Sequence, residues 1–201
     1  ALPHDDALKR KRRLEALQAA VTDLTGAEDP RLQWLVEGAR RWKKRGDKVL
    51  IFVHGRKELD LLKQELEFQT GQRIAVFHED LSPGQRDIEV AQFAGPEGPN
   101  ILVSTECGGE GRNFEFCRRL ILFDLPWNPA LVEQRIGRLD RISRRMPVNI
   151  VYFRAAGTFA GQIAALYEAL GIFQAPLGGL ERSLTHVEHA IQHAALSETP
   201  T

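Results

Sequence analysis

The sequence predicts an α/β fold with a mainly parallel sheet, on three observations. Short apolar runs recur at 49–53, 73–77, 100–104, 119–123 and 148–153. Too short for helices and flanked by polar turns, such runs suit strands buried on both faces. Helical patterns separate most of them, at 57–69, 84–94, 129–145 and 158–170, and that alternation builds βαβ units covered on both sides. Finally, 201 residues with 43% hydrophobic content suit one α/β domain with added helices.

Each element has its own reason. A charged helix is expected over 5–24, where the basic run Lys9-Arg10-Lys11-Arg12-Arg13 reads as a solvated face beside Leu8, Leu14, Leu17 and Val21. The stretch from Thr25-Gly26 to Asp29-Pro30 breaks it. A second helix, 30–45, carries Leu32, Leu35, Val36, Ala39 and Trp42 on one side as packing surface. The first strand follows and ends at His54-Gly55-Arg56. Gly95-Pro96-Glu97-Gly98-Pro99 is a plain loop. Residues 175–179, rich in glycine and proline, separate the last core helix from a terminal one at 181–196. The expected division is a helical extension at 1–46, the sheet domain at 47–172 and a second helical extension at 173–201.

The segment 129–145 has clear punctuation. Asn128 is an N-cap candidate, Pro129 suits the first helical position, and Pro147 closes the segment. Gln134, Arg138, Arg141 and Arg145 would then form one helical stripe, and Val132, Ile136, Leu139 and Ser143 a mostly apolar second one. Like charges one turn apart repel, so guanidiniums gathered this way suit a polyanion, whose phosphate oxygens match their planar fork.

Composition limits the alternatives. Lys plus Arg and Asp plus Glu are both 27, so an anion site must be local and not a product of bulk charge. Cys107 and Cys117 are too few for a disulfide framework or a zinc site. His186, His189 and His193 recur on the last helix, but without His-Glu-x-x-His spacing they read as solvent-facing, and no metal site is expected. No apolar run approaches membrane-spanning length and the opening residues are not a signal peptide, so a cytoplasmic protein with no membrane partner is expected. The chain starts at Ala1 and its one methionine is Met146, which reads as a piece of a longer protein.

In an open parallel sheet, ligands bind beyond the carboxyl ends of the strands. The residues there are His54-Gly55-Arg56, His78-Glu79-Asp80, Ser104-Thr105 with the loop from Glu106 to Asn113, and Asp124-Leu125-Pro126-Trp127-Asn128. Gly108, Gly109 and Gly111 let backbone N–H groups approach an anion, and Ser104 and Thr105 add hydroxyl donors. A lone glycine-rich loop is weak support, and this one lacks the G-x-G-x-x-G spacing of a dinucleotide-binding dehydrogenase.

Order and wording say more. Glu110-Gly111-Arg112-Asn113-Phe114 is followed by Phe123-Asp124-Leu125-Pro126-Trp127-Asn128-Pro129, and then by Glu133-Gln134-Arg135-Ile136-Gly137-Arg138-Leu139-Asp140-Arg141-Ile142. Over about residues 48–155 this resembles the C-terminal RecA-like lobe of superfamily-two helicases of the Swi/Snf type, in particular the bacterial RapA-like subgroup. The resemblance implies a RecA-like three-layer α/β/α fold and half of an ATP-driven motor. Matched to the family's motif VI, Arg138 and Arg141 would be arginine fingers for the γ-phosphate of ATP, with Gln134 beside them. Gly111 and Asn113 match positions near the nucleotide. Thr105 with Ser104, and His54, Gly55 and Arg56, match positions that hold a nucleic-acid backbone without reading sequence. The pattern departs from the family at Ser143-Arg144, usually Gly-Gln, and at Cys107, commonly alanine, which reads as a small packed residue.

The sequence has neither G-x-x-x-x-G-K-[S/T] nor a strand ending in an Asp-Glu pair for magnesium. ATP and Mg2+ would therefore be held mainly by an N-terminal RecA-like lobe of the same protein, the expected partner, and this chain alone would be inactive. The expected substrate is double-stranded DNA, but backbone contacts alone do not separate DNA from RNA. A rival reading is a non-catalytic module that docks a protein such as RNA polymerase through its terminal helices. The paired arginines favour the motor.

Overall fold

The computed structural model describes residues 9, 11–14, 16, 28–105, 113–139, 147–174 and 181–198. The expected helix over 5–24 lies mostly outside them, although 9, 11–14 and 16 are helical. The expected separator at 175–179 also lies outside. The chain divides into two compact units, one of residues 24–124 and 134–153, the other of 1–23, 125–133 and 154–201.

The first unit holds a five-stranded sheet of β1 (Val49–Phe52), β2 (Ala75–Phe77), β3 (Ile101–Ser104), β4 (Arg119–Leu122) and β5 (Asn149–Tyr152). The order is β2-β3-β1-β4-β5, and every pairing is parallel. β1 and β3 are buried at all four positions, as the continuous apolar runs demand of strands covered on both faces. Three helices of this unit follow their sequence signals closely. α1 (Pro30–Arg45) starts on Asp29, whose side chain accepts from Arg31 N–H at 2.9 Å, and ends at Gly46 in the left-handed region, φ 65°. α2 (Arg56–Thr70) likewise ends at a left-handed glycine, Gly71. α3 (Pro83–Ala94) opens with a capping box in which Ser82 and Gln85 bond each other's backbone.

Side chains alternate across the strands, so each face of the sheet has its own helices. Val49, Ile51, Val53, Ile101, Val103, Ile121 and Phe123 share one cluster with Leu32, Leu35, Val36, Ala39 and Trp42 of α1 and Leu59, Leu62 and Leu66 of α2. The helix at 30–45, assigned from sequence to an extension, thus contributes directly to the core of the sheet. α3 packs against β2, and Phe93 joins Phe77, Phe114 and Phe116 in a cluster of tilted and edge-on rings. Helix, sheet and helix make the expected three-layer α/β fold. The boundary between the units falls inside α4 (Pro129–Gly137).

In the second unit, α5 (Phe159–Ala169) is capped by Thr158, whose hydroxyl accepts from Gly161 N–H at 3.1 Å. Trp127, read from sequence as a packing residue, is buried and meets Phe159 edge-on at 5.4 Å between centroids. Tyr167 is fully buried and donates its hydroxyl to Pro126 O at 2.7 Å, and burial pushes its pKa upward. α6 (Glu181–Glu198) buries Leu184, Ile191 and Ala195, leaving His186, His189 and His193 exposed. Among the described residues no cluster of potential metal ligands forms.

One boundary differs from expectation. The helix expected over 129–145 ends at Gly137, and Arg138 and Leu139 form a turn closed by bonds to the carbonyls of Arg135 and Ile136, at 3.3 and 3.0 Å. The carbonyl of Arg138, which a continuing helix would use internally, instead accepts from Phe114 N–H at 2.8 Å. Within α4 the buried positions include Val132 and Arg135, with Ile136 only partly buried, so Arg135 takes the place expected for Ile136, and Leu139 is buried in the turn that follows. Arg145 and Ser143 lie outside the described residues.

Candidate functional site

The carboxyl ends of β1, β2, β3 and β4 bring the expected residues into one region of the first unit. His54 is partly buried, and its N–H donates to the Asp124 carboxylate, tying the tip of β1 to that of β4. Gly55 is the N-cap of α2, with extended backbone and no side chain to cap it. Arg56 opens that helix. Its Nε donates to Asp60 at 2.9 Å and its Nη1 to Asp80 at 3.0 Å. The same Nη1 approaches the His78 ring, 2.6 Å from Nδ1 and 2.9 Å from Nε2. The hydrogen bond to Asp60 raises the Arg56 pKa further, whereas burial and the Arg56 charge push that of buried His78 down. The pair is thus a charged guanidinium on a neutral imidazole.

Ser104 ends β3, Thr105 follows it, and both are buried. The Ser104 hydroxyl donates to the Thr105 carbonyl at 2.7 Å, and the Thr105 hydroxyl to Glu79 Oε2 at 2.7 Å. That hydrogen bond lowers the Glu79 pKa and keeps the carboxylate ionised. Arg86 holds the turn from outside, donating to the carbonyls of His78 at 3.1 Å and Glu79 at 2.8 Å. Both hydroxyls and the Arg56 fork thus already have partners within the chain.

Arg138 is partly exposed in the turn after α4, next to exposed Asn113, because its carbonyl holds Phe114. Gln134 is exposed on the last turn of α4. Arg141, Gly111 and Cys107 lie outside the described residues. Two residues that hold the strand tips escaped the sequence reading. Arg135 is buried with Asp124, its Nη1 donating to Asp124 O at 3.0 Å and lying 3.5 Å from Oδ1. Its guanidinium also sits over the Phe52 ring at 5.2 Å. The available signal was Asp124 itself, an acid directly after an apolar strand. Glu79 was the other, legible only as part of the polar turn after β2.

The fold and sequence have known counterparts. The helicase conserved C-terminal domain family matches residues 30–143, and the chain belongs to that family. Its likeness within the family is to the Swi2/Snf2 type and, by sequence, to RapA. RNA polymerase-associated protein RapA of Vibrio campbellii is 46% identical over 123 residues, 61% of this chain and 12% of the relative. The chain spans only about an eighth of the length of that relative. Among solved structures, the Sulfolobus solfataricus SWI2/SNF2 ATPase core in complex with dsDNA superposes with a TM-score of 0.64 at 21% identity, over 87% of this chain and 35% of that one. The C-terminal part of the Fun30 ATPase domain gives 0.61 at 19% identity, over 83% and 55%. At these identities the two structures establish the shared fold.

Proposed function

We propose that the chain is the C-terminal motor lobe of an ATP-dependent DNA translocase, completing a nucleotide pocket held mainly by a second RecA-like lobe. Arg138 and Arg141 would supply positive charge to the γ-phosphate across the cleft, with Gln134, Asn113 and Gly111 beside them. The observation that carries this reading is the hydrogen bond from Phe114 N–H to Arg138 O. It sets a partly exposed guanidinium next to the segment that follows the glycine-rich loop. The donors on this chain fit only part of a nucleotide site, being amides and guanidiniums without a phosphate-cradling lysine loop. Bound ATP with Mg2+ would supply the phosphoryl group whose transfer the arginines stabilise.

Nucleic acid would meet the strand tips at His54, Gly55, Arg56, Ser104 and Thr105. Thr105 and Arg56 would exchange Glu79 and Asp80 for backbone phosphates. RNA polymerase is a proposed partner on the strength of the relatives' name. The test uses the intact protein. DNA-stimulated ATP turnover is compared in wild type, Arg138→Ala and Arg141→Ala, with duplex RNA as the parallel stimulant. Loss of ~10³-fold or more is expected for a finger. Turnover within a few-fold of wild type in both variants would sink the assignment.

A further inference from the structure

The last turns of α1 carry Arg41, Lys43, Lys44 and Arg45, all exposed. Several other cations of the described residues are paired: Arg31 with Asp29, Arg56 with Asp60 and Asp80, Lys63 with Glu67, Arg73 with Glu89, and Arg154 with Glu168. Among the described residues these four side chains have no salt bridge or hydrogen bond. Beside them, Arg119 at the start of β4 lies over the Trp42 ring at 5.5 Å, its Nε buried without a hydrogen-bond partner. The charges acting on Arg119 are Asp47, Arg45 and Arg41, one carboxylate against two further guanidiniums.

The helix dipole favours cations at this end but does not require four of them. Gly46 already caps α1, its N–H reaching the carbonyls of Lys43 and Trp42. Arg41 and Arg45 are one turn apart, where like charges repel. In a chain with no net charge, these four unpaired cations stand together on one helix end. That place is the amino edge of the sheet, opposite the strand tips, with the length of β1 between them.

We propose that this edge is a second surface for duplex nucleic acid, gripping backbone phosphates through Arg41, Lys43, Lys44 and Arg45. Protein partners dock on aromatic or aliphatic anchors ringed by polar residues. None of the exposed large apolar residues, Leu61, Phe68, Ile88, Phe116 and Leu166, belongs to this turn. A surface made of arginine and lysine alone matches a phosphate backbone, whose recognition is polar, cationic and sequence-independent. The surface is independent of the arginine fingers and stands whether or not the motor reading does.

The test is fluorescence anisotropy of a labelled 30-base-pair duplex against salt concentration, with DNA and RNA arms. The proteins compared are the wild type, Arg41→Gln/Arg45→Gln and Lys43→Gln/Lys44→Gln. Each double variant is expected to weaken binding at low salt about tenfold or more. Each should also flatten the log–log salt slope by about 2, at about 0.9 per lost phosphate contact on DNA. Lys63→Gln, which removes a cation paired with Glu67 on α2, should leave both quantities unchanged, and that separates this surface from a general loss of positive charge. Unchanged affinity and slope in both variants would overturn the proposal, as would weaker binding with an unaltered slope. Polyglutamate binding as tightly as the duplex, and equally weakened by the variants, would overturn it in favour of an acidic protein partner.

Discussion

At the scale of single residues, the buried pair of Arg135 and Asp124 decides how the strand tips are held. Their side chains are 3% and 0% exposed, so neither charge is stabilised by water. Asp124 accepts from His54 N–H and from Arg135, and Arg135 in turn reaches the Asp124 carbonyl. Removing one partner leaves the other charge buried and uncompensated, which typically costs about 3–5 kcal/mol. Arg135→Ala is therefore expected to lower unfolding free energy by about that much in urea titration. The double variant Arg135→Met/Asp124→Asn should lose less than Arg135→Ala alone, because the stranded charge is gone. A loss below about 1 kcal/mol for Arg135→Ala would mean that water replaces the pair. The sequence hid this pair for a physical reason. Periodicity sorts charges outward and apolar residues inward, and Arg135 breaks the sort with buried Asp124 as a partner.

At the scale of elements, the strands were legible to within a residue or two because buried parallel strands write themselves as unbroken apolar runs. The starts of α1 and α3 fall within a residue of their expected positions, and the structure adds that Asp29 and Ser82 cap them. The end of α4 was not legible, since Pro147 offered a stop far downstream and Gly137 is only a weak breaker. What ends the helix is tertiary: Phe114 takes the carbonyl of Arg138. The 95–99 loop, read as plain, proves firmly anchored by Lys48. Its ammonium donates to the carbonyls of Gly95 at 2.7 Å, Pro99 at 3.0 Å and Gly98 at 3.2 Å, over the Phe93 ring. Lys48→Met should therefore cost about 2–3 kcal/mol, with three carbonyls losing a charged donor. A Cβ at Gly98 would lie 1.7 Å from Gln92 O, so Gly98→Ala must move backbone and is expected to cost about 1–3 kcal/mol. Faster amide hydrogen exchange at Val49, whose N–H bonds Asn100 O, would report the loosened loop in both variants. Protection equal to wild type in both would show that the loop is held by other contacts.

At the scale of the whole molecule, the fold class was written in the alternation of runs and periods. The strand order β2-β3-β1-β4-β5 emerged only with the pairing. The candidate site was legible as a set of strand-end residues, but not how they bond to one another. Sequence motifs name donors, whereas the choice of Glu79 for Thr105 or Asp124 for His54 depends on which strands lie side by side. The same reasoning bears on activity. Arg138, Gln134 and Asn113 offer positive charge and amide donors, yet nothing in the sequence cradles a triphosphate or holds magnesium. Guanidiniums stabilise charge on a phosphoryl group only when that group is already positioned against its nucleophile. This chain alone is therefore expected to hydrolyse ATP no faster than buffer containing Mg2+, with or without duplex DNA. Turnover should appear only in a protein that also contains the nucleotide-holding lobe, and should there depend on Arg138 and Arg141. A phosphate-release assay on the chain decides the matter: robust magnesium-dependent turnover would mean that a phosphate-binding loop of another design exists within these 201 residues, and that the arginines serve a complete site and not half of one.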